Sequence, residues 1–215
     1  MTALLTLSHG SRHPRASAGI DRLTAAVGER LGVTARAAHL EFDTPSLLDA
    51  TRTLATEGHR EAVVVPLLFT DAFHARHDVP AARTHAQADT GVRLIPARGL
   101  GTGADIADVL ATHTRAPADR HLTLAHVGSS DPAAEEAVAD LAELLAARLG
   151  RAVAVRRATG GEKGASISGA SHLIPLFVTH ALLLDRLLES GAAADPPLGK
   201  ALTDIVAARY RAALT

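Results

Sequence analysis

The chain has 215 residues, 47% of them hydrophobic and only 2% aromatic, which allows one large domain or two small ones around an aliphatic core and excludes a disordered chain. A formal net charge of −1 with no long basic run removes the electrostatic footprint of a nucleic-acid binder. The absence of cysteine excludes disulfides, thiolate zinc sites and thiol nucleophiles, so any metal must be held by histidine and carboxylate.

Short apolar runs alternate with longer amphipathic ones. Residues 3–7 read as a strand, too short for a signal core or a membrane span, so a cytoplasmic protein with no membrane partner is expected. A helix is predicted at 16–31, a strand at 36–40, a helix at 45–57, a strand at 62–69, a helix at 79–88, a strand at 92–96 and a helix at 104–113. Gly32, Gly58 and Gly91 each fall between a helix and the next strand, where a left-handed cap is wanted. The polar stretch TRAPADR at 114–120 separates this series from a second one. There a strand is predicted at 121–125, a helix at 132–149, a strand at 152–156, a strand at 172–177 and helices at 181–189 and 198–213. The alternation predicts an α/β fold of two similar doubly wound parallel-sheet domains, 1–116 and 117–215, the second a shortened and diverged copy.

Internal matches support a duplication. TLSHGSRHP at 6–14 parallels TLAHVGSSDP at 123–132, and AVVVPLLFT at 62–70 parallels SHLIPLFVT at 171–179. On this reading His126 corresponds to His9, Leu183 falls opposite His74, and the glycine-rich stretch at 160–169 replaces the region around Glu41. The first half therefore carries any reaction centre, and the second supplies the opposing wall of a cleft.

His9, Glu41 and His74 each follow a separate predicted strand. In an open parallel sheet those positions share one edge, where ligands bind, so the three side chains are expected to converge. SHGSR at 8–12 is a strand-to-helix turn that could offer backbone N–H groups to an anion. Neither GxGxxG nor GxxxxGK[ST] is present, which weakens a nucleotide-binding reading. His74 and His77 are three apart and would share a helix face, and with His9 they could make a three-nitrogen site for a divalent transition metal. The bland alternative is a pair of loop histidines on a solvated helix start. Asp78 before Val79 and Pro80 reads as an N-cap.

SHGSR at 8–12, HLEFDTPSLLDA at 39–50 and VVVPLLFTDAFHARHDVP at 63–80, in that order, resemble the sirohydrochlorin chelatase family within the class II tetrapyrrole chelatases, in its long two-domain form. The resemblance covers the first hundred or so residues well and the rest more loosely. It implies an enzyme without an organic cofactor that inserts Fe²⁺ or Co²⁺, and in some members Ni²⁺, into sirohydrochlorin for siroheme or cobalamin synthesis. It implies metal binding and proton removal by His9 and His74, and an acidic role for Glu41. Two positions depart from the family pattern. Ala72 stands where glycine is common, and Leu184-Asp185-Arg186 stands where long members often have His-Asp-Arg.

The residue types suit that chemistry, because a tetrapyrrole loses two pyrrole protons as the metal enters and neutral imidazoles can both hold a cation and accept protons. Arg12 and Arg76 beside the motifs are candidate partners for the substrate's carboxylates. The competing readings are a non-catalytic tetrapyrrole or metal carrier with the same fold, and a His/Glu zinc hydrolase, for which no HExxH is present. A monomer would suffice, since two halves of one chain can form the cleft, and a homodimer is the other expectation.

Overall fold

A computed structural model describes residues 2–71, 74–159, 170–189 and 191–215, at positions 74 and 75 for the backbone only. The predicted stretch at 160–169 and Ala72 lie outside the described residues.

In the first half, β1 (Ala3–Ser8), β2 (Ala35–His39), β3 (Glu61–Pro66) and β4 (Arg93–Pro96) form a parallel sheet in the order β2-β1-β3-β4. All six residues of β1 are buried, as a central strand covered on both faces requires. Between the strands run α1 (Ala16–Leu31), α2 (Leu47–Thr56) and α3 (Val79–Thr90), and α4 (Ala104–His113) follows β4. Ile20, Leu23 and Val27 recur at helical spacing on α1 and are buried on one face. The helix stops at Gly32, whose φ of 67° is the left-handed cap expected from the sequence. Ser46 and Asp49 close α2 with a reciprocal capping box, so the helix starts two residues later than its apolar pattern suggests.

The second half repeats the plan. β5 (His121–His126), β6 (Val153–Arg157), β7 (Ser171–Pro175) and the two-residue β8 (Ala193–Ala194) pair in the order β6-β5-β7-β8, again all parallel. The connecting helices are α5 (Pro132–Leu149) and α6 (Leu182–Leu188), and the chain closes with α7 (Thr203–Ala212). The single helix predicted at 198–213 is a short 3₁₀ turn, Gly199–Leu202, followed by α7. Both β3 and β7 end sooner than predicted, at Pro66 and Pro175, which have no N–H for the ladder. One further bond from Leu67 to Leu7 O and from Leu176 to Ala125 O leads each chain out of its sheet.

The two sheets share a core. One buried cluster runs from Leu4, Leu23, Val63 and Val65 through Ile106 and Leu110 to Leu124, Leu141, Ile174 and Val206. The last helix of each half makes this possible, because α4 packs against α5 of the second half while α7 packs against α1 and β3 of the first. Tyr210 on α7 donates to the carbonyl of Thr2. Buried Arg209 donates to the carbonyls of Gly99 at 3.0 Å and Leu100 at 2.6 Å and to Asp105 Oδ2 at 2.6 Å. A guanidinium with three acceptors in a fixed fork pins the end of the chain to the β4–α4 turn. Arg209→Met keeps the length of the side chain and orphans these acceptors. We expect it to lower unfolding free energy by about 3 kcal/mol in a denaturant titration, and a loss below about 0.5 kcal/mol would mean the pin is ornamental.

Candidate active site between the two sheets

A cavity of about 680 Å³ lies at the carboxyl ends of both sheets. Its walls come from the segments after β1, β2, β3, β5 and β7 and from the starts of α1 and α5, and Leu67, Leu68, Phe69, Leu176, Phe177 and Val178 give it an apolar lining. This is the crevice that open parallel sheets use for ligands, in the size range of small-molecule sites.

On the first wall, His9 follows β1 and lines the cavity with Gly10, Ser11 and Arg12. The loop after β2 is fastened to it by hydrogen bonds from Leu40 N to Ser8 O at 3.0 Å and from Glu41 N to His9 O at 2.9 Å. Gly10 has a φ of 94°, and a Cβ there would lie 1.7 Å from the Glu41 carbonyl oxygen, so only glycine lets the two loops meet. The pairing delivers Phe42 to the cavity mouth, its ring 5.8 Å from that of His9 and 4.6 Å beneath the Arg12 guanidinium.

Deeper in, His39 at the end of β2 shares a 2.7 Å hydrogen bond with Ser8 Oγ through Nδ1, while its buried Nε2 has no hydrogen-bond partner among the described residues. On the opposite wall His126 sits 3.7 Å from Glu135, which also pairs with Arg157 at 3.3 Å and accepts from Ser129 N. Burial pushes the pKa of both His39 and His126 below the ordinary 6.5, so both imidazoles are held neutral. His180 is lowered too, chiefly by burial and then by Arg15. Its ring stacks at 5.6 Å on His13. His13 Nδ1 accepts from Arg15 N at 3.0 Å, which leaves Nε2–H to donate to Asp185 Oδ2 of α6, also at 3.0 Å. This buried histidine ties the β1–α1 loop to the second half.

The expected residues are differently placed. His9 and Arg12 line the cavity; Glu41 is exposed and is not among the lining residues, although its neighbours His39, Phe42 and Asp43 are. The backbone of His74 lies in a π-helical turn, His74–Asp78, that runs straight into α3, and its side chain lies outside the described residues. Asp78 does stand at the N-cap of α3 with Pro80 in the first turn, but its backbone is helical and its side chain makes no capping bond. Arg76 is exposed and pairs with Asp131 of the opposite wall at 3.2 Å and with Asp71 at 3.9 Å. His77 is exposed. Among the described residues no group of three His, Asp or Glu side chains is close enough to hold a metal ion.

The register corrects one internal match. Leu7 pairs with Pro66 in the first sheet and Ala125 with Pro175 in the second, so His126 stands where Ser8 does and Val127 where His9 does. Gly10 and Gly128 then coincide, with φ of 94° and 93°. Thr159 N donates to Val127 O as Glu41 N does to His9 O, so Thr159 takes the place of Glu41. The match of His126 to His9 was thus one residue out, and a shift of one residue in a strand sends a side chain to the other face.

Two pseudo-symmetric parallel sheets with a cavity between their carboxyl ends define a two-lobed α/β protein built to enclose a ligand between lobes. The CbiX family model matches residues 3–116, just over half of the chain, and the chain belongs to the CbiX family. The sirohydrochlorin cobaltochelatase of Sulfurisphaera tokodaii is 34% identical over 71 residues, 33% of this chain and 57% of that protein. The sirohydrochlorin ferrochelatase of Priestia megaterium is 28% identical over 155 residues, 67% of this chain and 57% of that protein. The chain thus spans little more than half the length of the curated relatives it matches. SirB from Bacillus subtilis with Fe³⁺ superposes with a TM-score of 0.81 at 18% identity, covering 99% of this chain and 96% of that one, a likeness that establishes the fold. No described helix is long and apolar enough to cross a membrane.

The buried histidines make stability depend on pH. Each has a folded pKa below its unfolded value of 6.5, so the unfolded chain binds more protons below that pH. Their stabilising contribution is complete above about 6.5 and is lost as pH falls through the folded values. The thermal midpoint should therefore fall as pH drops below about 6.5. His39→Asn, which still offers Ser8 a hydrogen-bond partner and cannot titrate, should show a shallower fall; an unchanged slope would remove His39 from this account.

Proposed function

We propose that the chain is a sirohydrochlorin chelatase, a lyase that inserts a divalent metal, Fe²⁺ or Co²⁺ and as a third candidate Ni²⁺, into sirohydrochlorin in siroheme or cobalamin synthesis. The observation that carries this reading is the apolar-lined cavity between the two sheets, with His9 and His39 on one wall and His126 and His180 on the other. Where the first half has His9 and Glu41, the register of the second half puts Val127 and Thr159. Leu183, at the same distance from Pro175 as His74 is from Pro66, lines the cavity. An apolar-lined cavity of this size with imidazoles on both walls, and with His9 and Glu41 unmatched in the second half, suits a flat macrocycle whose metal and protons are handled from the first half. Membership of the CbiX family and two curated relatives named as sirohydrochlorin chelatases support the same reading.

In this proposal His9 and His74 deliver the metal and, as it enters, take the pyrrole protons, since a neutral imidazole can both hold a cation and accept a proton. Glu41, exposed and bonded through its backbone to His9, exchanges protons with solvent and balances the cation's charge. The metal is a substrate, so its ligands must release it. Arg12 at the mouth and Arg76 at the rim are the candidate partners for substrate carboxylates. The Arg76–Asp131 pair is partly exposed, and exposed pairs are weak enough to exchange for a carboxylate. The functional halves are 1–116 and 117–215, and since both walls belong to one chain a monomer suffices, a homodimer being the alternative. No organic cofactor, nucleic acid or membrane is needed, and a cytoplasmic location fits.

The test is anaerobic incubation of purified protein with sirohydrochlorin and, separately, Fe²⁺, Co²⁺ or Ni²⁺, followed by absorbance. The expected result is metallation well above the spontaneous rate, reduced roughly 10²–10⁴-fold by His9→Ala or His74→Ala. Tight binding of tetrapyrrole or metal without acceleration would instead make the protein a carrier.

A further inference from the structure

Phe42 combines three properties that a structural residue has no reason to combine. It is the only described non-glycine residue with positive φ, 61°. Asp43 N donates to Glu41 O at 2.7 Å across it, closing a three-residue turn of the strained kind. It is also 52% exposed, so the core does not reward the strain. A bulky side chain in the left-handed region is a genuine outlier, and such strain persists only where the surroundings enforce it.

The surroundings here are visible. Bonds from Leu40 to Ser8 and from Glu41 to His9 fix the loop on one side of Phe42, and the gap left by Gly10 admits the Glu41 carbonyl. The turn holds an apolar ring at the mouth of the cavity, beside His9 and under Arg12. Resting on the chelatase reading, the geometry points to Phe42 as the platform that receives the edge of the tetrapyrrole and holds Arg12 where it can pair with one of the macrocycle's carboxylates. Its ring offers apolar area to the macrocycle, and its π face keeps the guanidinium in place before the carboxylate arrives. The strain is retained because the platform must stand at that spot, facing the imidazole that works on the centre of the ring.

The test is an anaerobic equilibrium titration of the protein with metal-free sirohydrochlorin, run beside thermal unfolding, for wild type, Phe42→Asn, Phe42→Tyr, Arg12→Ala and the Phe42→Asn/Arg12→Ala double variant. Asparagine tolerates positive φ, so Phe42→Asn should raise the thermal midpoint by roughly 2–4 °C while weakening tetrapyrrole binding about tenfold. The KM for Co²⁺ should not change, Phe42→Tyr should bind like wild type, and the double variant should bind more tightly than the sum of the two losses predicts. Unchanged binding in Phe42→Asn overturns the platform, as does a lowered midpoint, which would make Phe42 a packing residue. Failure of the wild type to bind sirohydrochlorin would overturn the chelatase reading and this inference with it, whereas wild-type binding with an indifferent Phe42→Asn removes the inference alone.

Discussion

A Cβ on Gly10 would stand 1.7 Å from the carbonyl oxygen of Glu41, so two loops that leave neighbouring strands can touch only because residue 10 has no side chain. The loop geometry around His9 and Phe42 depends on that contact. It sets the Glu41 N to His9 O bond, fixes the height of His9 above the sheet and forces the turn that throws Phe42 forward under Arg12. The second half keeps the glycine at 128 with nearly the same φ, and the same backbone bonds run from Ala158 and Thr159 to His126 and Val127. The two halves share this backbone arrangement while the side chains it presents differ, so the loop geometry is a property of the fold.

Each half also lends its final helix to the other. Through α4 on α5 and α7 on α1 and β3, the apolar cluster passes from one sheet to the next without a break. A continuous close-packed core resists hinging. The Arg209 fork and the His13–Asp185 bond, one far from the cavity in sequence and one at its edge, further fix the two walls relative to each other. Under the proposed function, two walls fixed in this way hold a macrocycle at a set angle to the imidazole of His9.

Much of this was legible in the chain itself. The bounds of α1, α4 and α5 follow from apolar residues at helical spacing between a turn and a left-handed glycine or a break, and the structure gives the same residues. The parallel sheets follow from short runs of Val, Leu and Ala buried on both faces. What was not legible depended on contacts between distant residues or on backbone detail. β8 is two alanines long and has no pattern to read. The partner of His13 is Asp185, brought close only by the fold. His39 was hidden because burial, not its neighbours in sequence, makes it neutral. Matching His-Gly-Ser to His-Val-Gly-Ser sets His126 on His9, whereas the strand register, fixed by Pro66 and Pro175, puts the match one residue earlier. Phe42 carried no sequence signal, since a strained turn at a non-glycine residue is imposed by its surroundings.

The central claim is that the metal is handled on the first wall, at His9, and not on the second. Crystals soaked anaerobically with Co²⁺ and measured at the cobalt absorption edge would test it directly. The account predicts an anomalous peak within about 2.2 Å of a ring nitrogen of His9. A peak held instead by His126 and Glu135, with none at His9, would contradict it.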